Sequence, residues 1–427
     1  MLKLQEHKEP QHNLPCESFL NPERLCLPLS QHTGKPSLVC VKPQDVVEQG
    51  QVIATEDGHI SSRLHSPKKA KIVSIDDWFH PVLKRAKCII TEPFGDEEHK
   101  FTPKSKVDNL NKETLLKMIK DCGIVGMGGA AFPTHVKLSP PKKIETLIIN
   151  GCECEPYLAS DYRLMVENLD AIFKGIEIVC KIIEPKNVIF AVEENKPEAI
   201  KKLHLAVSLK KYNLPKLSLA ILKTAYPQGG EKQLIYSLTK RKVPSGGLPL
   251  DVSCLVHNIG TFFAIYEAIY LDKPLIERVV TFAGDALVSP KNIRLKIGTT
   301  LRELFDKKIL EFKTEPSKII CGGPMMGIAL ESLEYPILKA NGGFLFLNKI
   351  KTCEENTCIR CARCVDACPL NLLPLEYAKR VKRDEYNKLG ELNIKDCIEC
   401  GCCSYTCPAK IPLVHYIKIG KKYASNN

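Results

Sequence analysis

Two cysteine runs near the C-terminus constrain this chain more than any other feature. The first run extends from Cys358 to Pro369, and the second extends from Cys397 to Pro408. Each has the spacing C-x2-C-x2-C-x3-C-P. A structural zinc site needs only four ligands, so zinc explains neither the third cysteine of each run nor the closing Cys-Pro pair. Cys353 and Cys402 lie outside this register, and we interpret them as bystanders.

The spacing is typical of chains that bind two [4Fe-4S] clusters, in which the fourth cysteine of each run ligates the other cluster. It predicts one cluster on Cys358, Cys361, Cys364 and Cys407, and another on Cys397, Cys400, Cys403 and Cys368. Structural zinc and disulfides are the alternatives. We predict that residues 349–420 form an α-helical, two-[4Fe-4S] ferredoxin-like domain.

Length and composition limit the kinds of protein that can contain these cysteine runs. A chain of 427 residues is too long for a ferredoxin and long enough for several domains. Its 20 cysteines would suit a secreted disulfide scaffold, but the first residues lack the apolar core of a signal peptide, which favours a reducing cytosol. The net charge of +12 is scattered, so no nucleic-acid partner is expected. No stretch reaches the roughly 18 apolar residues of a membrane span.

Residues 27–91 carry short β-type runs separated by turn residues, which predicts a small all-β module. Its order of strands and turns is similar to the barrel-sandwich hammerhead of biotinyl and lipoyl domains, which present a modified lysine at a hairpin tip. The corresponding turn here, Glu56 to Ser62, has no lysine. We therefore expect a docking or structural role, and we interpret His59 and His65 as polar residues without a metal.

Residues 92–106 mix charged residues with Pro and Gly, which predicts a polar linker. A different pattern follows over residues 107–277. A short helix is predicted over residues 110–120, and residues 165–180 have helical spacing. Apolar β runs alternate with such stretches at residues 146–149, 187–192, 217–222 and 252–256. This alternation predicts an α/β domain with a mostly parallel sheet, in which ligands bind beyond the carboxyl ends of the strands.

The pattern changes again over residues 278–330, where the sequence predicts two strands, a helix over residues 301–310 and a further strand. This ββαβ order predicts a small β-grasp module of the SLBB-like type. The segment Gly322 to Gly327 closes it. The cysteine domain then begins near Lys349.

Four polar or Gly-rich loops flank the predicted parallel strands. A Gly-rich loop lies at residues 123–129, where backbone N–H groups can approach a phosphate and Lys137 can neutralise its charge. The other loops lie at residues 150–163, 226–232 and 257–261. Each alone is an ordinary turn, but together they predict a site of the size of a nucleotide.

The motifs in this order resemble the flavin-bearing subunit of respiratory complex I and, more closely, the C subunits of the Rnf electron-transport complex. The resemblance rests on Gly126-Met-Gly-Gly-Ala-Ala-Phe-Pro-Thr-His-Val-Lys-Leu138, Glu153-Cys-Glu-Pro-Tyr-Leu158, Tyr226-Pro-Gln-Gly-Gly-Glu-Lys-Gln233, Gly322-Gly-Pro-Met-Met-Gly327 and the twin cysteine runs. It covers the chain from about residue 27 onward. Two departures stand out, since the N-terminus lacks a Gly-Gly-x-His-Pro opening and Cys152 replaces an expected alanine.

The resemblance implies a noncovalent FMN that accepts hydride from NADH. It places Gly126, Gly128, Gly129 and Lys137 at the flavin phosphate and ring, and it makes Asn150, Gly229, Gly230, Glu231, Asn258 and Thr261 further flavin-binding residues. It turns Phe132, Glu153 and Glu155 toward the nicotinamide nucleotide. No residue is assigned a catalytic role.

By the same resemblance, the chain is the electron-input subunit of a membrane-associated complex. Its expected partners are the membrane and iron-sulfur subunits of an Rnf-type complex, with ferredoxin as an indirect partner. It would lie peripherally at the cytoplasmic face of the bacterial inner membrane. Two alternatives stay open: a soluble paralogue that feeds a cobalamin or amino-acid reductase, and a cluster-bearing adaptor without nucleotide activity.

Overall fold

The computed structural model describes residues 1–95, 101–103, 107, 109–348 and 353–424. The N-terminal part contains α1 (Glu9–Asn13), β1 (Cys16–Phe19), β2 (Leu25–Pro28), β3 (Leu38–Val39), β4 (Val46–Val47), β5 (Val52–Thr55), β6 (Leu64–His65), β7 (Ala70–His80) and β8 (Lys84–Pro93). One sheet has the order β2-β8-β7-β4 and a second has the order β3-β5-β6. Buried side chains such as Leu25, Ile53 and Ile72 belong to one core, so the two sheets form the expected barrel-sandwich module.

The second part is a three-layer α/β domain. It contains α2 (Lys112–Asp121), α3 (Thr134–Lys137), β9 (Thr146–Gly151), α4 (Ser160–Glu167), α5 (Leu169–Ile183), β10 (Asn187–Glu193), α6 (Pro197–Ser208), β11 (Leu217–Leu222), α7 (Glu231–Thr239), β12 (Cys254–Asn258) and α8 (Ile259–Leu271). The strand order is β11-β10-β9-β12, and every pair is parallel. The carboxyl ends of the strands therefore share one edge, as the alternating pattern predicted.

Two local expectations in this domain are wrong. The strand expected at residues 252–256 begins at Cys254, because Pro249–Val252 form a 3-10 turn in which the Asp251 carboxylate accepts a hydrogen bond from the Leu248 N–H at 2.9 Å. The helical stretch over residues 165–180 is divided between α4 and α5. Asn168, with φ −130° and ψ 29°, separates them.

The third part contains β13 (Glu277–Ala283), β14 (Lys291–Lys296), α9 (Leu301–Asp306), β15 (Lys318–Cys321), β16 (Ile328–Leu330) and β17 (Gly343–Leu347). The predicted ββαβ order is present, although the helix ends at Asp306, earlier than expected. The sheet order is β1-β14-β13-β17-β15-β16, so the sheet also takes in a strand from the N-terminal part and one beyond residue 330. The four domain boundaries given above stay predictions, and the start at residue 349 lies outside the described residues.

The C-terminal part is helical and contains α10 (Arg363–Asp366), α11 (Pro374–Val381), α12 (Cys402–Thr406) and α13 (Leu413–Tyr423). Its own core includes Tyr377. The two cysteine runs have the same local backbone, because Arg360 and Ala362 in the first run and Glu399 and Gly401 in the second are all left-handed. Equal spacing has thus produced equal turns.

None of the described helices is both long and apolar enough to cross a membrane.

Candidate functional site

The Gly-rich loop joins α2 to α3 at the carboxyl edge of the parallel sheet. Its base is closed by hydrogen bonds from the Gly126 N–H to the Phe132 carbonyl at 2.8 Å and from the Met127 N–H to Thr261 Oγ1 at 3.0 Å. Gly128, Gly129 and Ala130 are exposed, and no acceptor among the described residues faces their N–H groups. Consecutive free N–H groups of this kind form a concave site for an anion.

Asn258, the last residue of β12, supports this loop from below. Its Oδ1 accepts from the Gly260 N–H at 2.8 Å and so caps α8, while its Nδ2 donates to the Asp161 carboxylate. A Cβ atom on Gly128 would lie only 2.9 Å from the Asn258 Cβ atom. Glycine at residue 128 therefore allows the loop to rest directly on the end of the strand.

The remaining predicted flavin residues surround the same edge. Asn150, at the end of β9, donates from Nδ2 to the Gly229 carbonyl at 2.9 Å. Gly230 is the residue before α7, and Glu231 is the first residue of that helix. The Lys137 ammonium donates to Glu231 Oε1 at 2.8 Å and to the Val256 carbonyl at 2.7 Å. The carboxyl ends of β9 and β12, the end of α3 and the start of α7 are thereby brought together.

This arrangement fits a phosphate-bearing group such as FMN. Free loop N–H groups suit the phosphate. A Cβ atom on Gly129 would meet no atom within 4 Å, so the outer face of the loop is open to a ligand.

Glu153 and Glu155 are both engaged by the protein. The Glu153 carboxylate accepts from the Asp161 N–H at 2.8 Å and from the Tyr162 N–H at 3.2 Å, at the start of α4. Glu155 accepts from the Met325 N–H at 3.2 Å and from the Met326 N–H at 2.9 Å. Burial raises the pKa of Glu155, which those hydrogen bonds oppose. The two carboxylates therefore fix a helix start and the Gly322–Gly327 loop. Phe132, the third residue expected on the nicotinamide side, is half-buried.

Sequence reasoning missed buried charges beneath the loop. Arg278 on β13 donates from Nη2 to the Met127 carbonyl at 3.0 Å, and burial lowers its pKa to about 10. Burial, together with the charge of Glu153, raises the pKa of Asp161 to about 7. A charged residue at the start of the apolar run Val279-Val280 was the available signal for Arg278, since buried charges are uncommon without a partner.

Lys8 was missed as well. Its side chain is buried, its ammonium donates to the Glu153 carbonyl, and burial lowers its pKa. Lys196 is fully buried and donates to the neighbouring Cys152 carbonyl at 2.5 Å. Lys8 lies in an N-terminal segment with no motif, so only the fold brings it to this edge.

The cysteine runs converge in the C-terminal domain. A pocket is lined by Cys368, Cys397, Cys400 and Cys403, with apolar neighbours that include Tyr377 and Ile417. Cys368 comes from the first run and the other three come from the second. Across the two runs, Cys364 lies near Cys407, whose charge adds to burial in raising the Cys364 pKa. Thiolates around an apolar pocket are the donors that a [4Fe-4S] cluster needs.

The two cysteine sets differ in exposure. Cys400 and Cys403 are buried, whereas Cys358 and Cys361 are exposed. Cys402 is buried beside Cys400, and a hydrogen bond from its thiol lowers the Cys400 pKa to about 7. Cys402 is therefore packed into the site's wall, while Cys353 is exposed.

Tyr226 connects the two sites. Its side chain is fully buried, and its hydroxyl donates to the Cys400 carbonyl at 2.8 Å. Tyr226, Cys154, Cys400 and Cys402 belong to one apolar cluster. In the same loop, the Gly229 N–H donates to Cys154 Sγ at 3.4 Å. The nucleotide-side loops and the inner cysteine pocket therefore touch.

Comparison with protein families agrees with this architecture. Residues 2–96 match the RnfC barrel sandwich hybrid domain, residues 119–267 match the Nuo51 FMN-binding domain, and residues 357–411 match the 4Fe-4S dicluster domain. Crystal structures of an NAD+-reducing [NiFe]-hydrogenase, air-oxidised and H2-reduced, share the fold with TM-scores of 0.51 and 0.53 at 16% and 17% identity. They cover 74% and 76% of this chain, and the chain covers 68% and 65% of theirs.

Curated relatives extend over most of the chain. The C subunit of the proton-translocating ferredoxin:NAD(+) oxidoreductase complex of Clostridium ljungdahlii is 44% identical over 95% of this chain and 89% of its own length. The corresponding protein of the Na(+)-translocating complex of Acetobacterium woodii is 37% identical over 97% and 94%. That of the ion-translocating oxidoreductase complex of Vibrio cholerae is 40% identical over 92% of this chain and 51% of its own length.

The fold and the site define a class: multidomain oxidoreductase subunits that join an FMN-binding domain to a 4Fe-4S dicluster domain. The relatives narrow this class to one family. This chain belongs to the RnfC family, the C subunits of ion-translocating ferredoxin:NAD(+) oxidoreductase complexes.

Proposed function

We propose that this chain oxidises NADH and feeds the electrons into an Rnf-type complex, in a reversible exchange between NAD and ferredoxin that is coupled to ion translocation. The proposal gains support from the names of the relatives from C. ljungdahlii and A. woodii. FMN, when bound, takes two electrons as hydride and gives them up one at a time, which suits iron-sulfur clusters.

The observation that carries the proposal is the hydrogen bond from Tyr226 to the Cys400 carbonyl. It joins the loop that bears Gly229 and Gly230 to the backbone of a cluster cysteine. A nucleotide site and a cluster site that evolved for separate tasks would not need to share a wall. Their contact supports a chain in which the two sites exchange electrons.

The residues at the carboxyl edge divide the work of holding the flavin. The free N–H groups of the loop after Gly126, at Gly128 and Gly129, would bind the phosphate, with Lys137 as the nearby cation. The other residues are mostly hydrogen-bonded within the protein, so they would shape the walls: these are Asn150, Gly229, Gly230, Glu231, Asn258 and Thr261.

We assign the nicotinamide side to Phe132, Glu153 and Glu155. Phe132 is half-buried next to the open loop and offers a ring for packing. Because both carboxylates are already bonded to backbone N–H groups, Glu153 and Glu155 would act by fixing the start of α4 and the Gly322–Gly327 loop around the nucleotide.

We propose two [4Fe-4S] clusters with crossed ligands. Cys358, Cys361, Cys364 and Cys407 would hold one, and Cys397, Cys400, Cys403 and Cys368 would hold the other. The pocket shared by Cys368 and the second run supports the crossing. The second set lies against Tyr226, and two cysteines of the first set are exposed. The chain thus presents one set to its own nucleotide site and the other to a partner.

The partners would be the membrane and iron-sulfur subunits of the complex, with ferredoxin acting through them. We place the chain peripherally at the cytoplasmic face of the bacterial inner membrane, where NADH is available. This role is favoured over that of a soluble reductase partner or a cluster-bearing adaptor, because relatives matched over nearly their full length carry the names of translocating complexes.

The test is turnover by anaerobically purified protein whose flavin, iron and sulfide contents have been measured. NADH should reduce ferricyanide at a rate proportional to the flavin content. Protein that contains flavin and both clusters but gives no turnover would refute the proposal. Protein with iron and acid-labile sulfide but no releasable flavin would instead favour the adaptor alternative.

A further inference from the structure

The hammerhead hairpin contacts a second domain in this chain. Glu56 and Arg63, on either side of its turn, reach the end of α2 immediately before the Gly-rich loop, while Gly58, His59 and Ile60 between them are exposed. Glu56 forms an ion pair with Lys120 Nζ at 2.8 Å, and Arg63 Nη1 lies 2.9 Å from Asp121 Oδ1. These ion pairs on either side of the turn hold the hairpin against a second domain, which indicates a role other than that of a carrier.

The start of the Gly-rich loop is held by backbone contacts to this hairpin. A Cβ atom on Gly123 would lie 2.5 Å from the Arg63 carbonyl oxygen, so only glycine permits the approach. Lys339 donates from Nζ to the Arg63 carbonyl at 2.6 Å and to the Gly123 carbonyl at 2.7 Å. Lys339 is 1% exposed, and its ammonium thus joins three parts of the chain within the protein interior.

The far end of the loop is held by the neighbouring hammerhead turn. Thr33 donates from Oγ1 to the Ala130 carbonyl and from its N–H to the Ala131 carbonyl, the latter at 3.3 Å. The Lys35 N–H donates to the Ile60 carbonyl at 3.1 Å, which ties this turn to the hairpin. Because Thr33 occupies both carbonyls, the N–H groups of the loop are left on its open side.

We propose that the hammerhead is a clamp on the Gly-rich loop and that Thr33 is a positioning residue for the phosphate of the flavin. The clamp grips the loop at Gly123 and at Ala130–Ala131 and leaves the N–H groups between them free. A loop fixed before binding loses less conformational entropy when the ligand arrives, which raises affinity. The assignment of flavin rests on the proposed function, but the clamp itself does not.

Thr33 offers a matched pair of variants on the full-length protein. Thr33→Val removes the hydroxyl donor and keeps the branched shape, whereas Thr33→Ser keeps the donor. Amide hydrogen exchange at Gly126 and Met127 should be about five-fold faster in Thr33→Val than in wild type, with Thr33→Ser close to wild type. FMN titration followed by flavin fluorescence should give a dissociation constant about five-fold higher for Thr33→Val alone.

The outcomes distinguish failure of the clamp from failure of the proposed flavin. Equal exchange at Gly126 and Met127 in the valine and serine variants would overturn the clamp, whether or not FMN binds. Faster exchange in Thr33→Val combined with no FMN binding by wild type would support the clamp and refute the proposed flavin. A second variant, Lys339→Met, should speed exchange at the loop start while the visible spectrum of the clusters stays unchanged, and unchanged exchange there would also count against the clamp.

Discussion

The cysteine pocket and the carboxyl edge of the parallel sheet differ in the groups that they offer to a ligand. In the pocket, side chains from two short runs would bind the proposed cluster, and the runs lie within one small helical domain. At the sheet edge, backbone N–H groups of the Gly-rich loop would bind the proposed flavin, and their positions depend on Thr261, Arg278 and Thr33 from distant parts of the chain. A site made of side chains within one small domain should tolerate substitutions elsewhere in the chain. A site made of backbone N–H groups depends on the residues that hold its loop in position.

The largest contrast is expected from removing a cluster cysteine. Cys361→Ala should lose about half of the iron and acid-labile sulfide, because one of two clusters cannot form. NADH-to-ferricyanide turnover at the flavin should largely persist, while transfer to the partner complex falls sharply. Metal analysis and the two assays decide this.

Cys353→Ala is the matched control, since Cys353 is exposed and outside the register. The crossing can be tested in the same way, because Cys368→Ala should abolish the same electron paramagnetic resonance signal as Cys400→Ala. Loss of different signals by those two variants would mean uncrossed ligands. Equal loss of both activities in Cys361→Ala would mean that the clusters are structural.

A pH effect is expected at Asp161, at the sheet edge. The pKa of Asp161 is raised to about 7, so the folded protein keeps a proton that the unfolded chain loses from about pH 4 upward. The contribution of Asp161 to the free energy of unfolding should therefore fall by up to about 1.4 kcal/mol per pH unit as the pH rises from 4 to 7. Urea unfolding followed by circular dichroism at each pH measures this.

Asp161→Asn should lack this contribution, because the variant cannot titrate, so its slope of unfolding free energy against pH should differ from that of wild type. Asp306→Asn, at an exposed residue of α9, should retain the wild-type slope. Identical slopes in all three proteins would show that Asp161 does not keep its proton over this pH range.

Residues that hold the Gly-rich loop in position should affect FMN binding as strongly as residues of the loop itself. Thr261→Val removes the acceptor of the Met127 N–H and leaves that buried donor unpaired, at a cost of about 1–3 kcal/mol. FMN should bind about ten-fold more weakly. Thr261→Ser keeps the acceptor and should bind FMN nearly as wild type does, so equal weakening in both variants would contradict a role for this hydrogen bond.

The smallest effect is expected at the contact between the two sites. Tyr226→Phe removes one hydroxyl and should cost about 0.5–1.5 kcal/mol. Exchange of amides near Cys400 should increase, and the flavin and cluster contents should stay the same. Tyr236→Phe, an exposed change on α7, is the control. No change in exchange near Cys400 would mean that apolar packing alone joins the two sites.

The sequence predicted those parts that depend on local spacing. The cysteine runs produced equal turns, and the alternation of β runs and helices predicted a parallel sheet with loops at one edge. Lys8 and Thr33 could not be predicted, because each comes to the Gly-rich edge only through packing between domains. The β-grasp sheet likewise takes in β1 from far upstream, which no local pattern indicates.

The most direct measurement of the proposed electron path is the visible spectrum of anaerobically purified protein before and after NADH. We predict that NADH bleaches both the flavin absorption and the broader cluster absorption, to an extent that approaches bleaching by dithionite. A spectrum that NADH leaves unchanged while dithionite bleaches the clusters would contradict this path, because the clusters would then not be connected to the nucleotide.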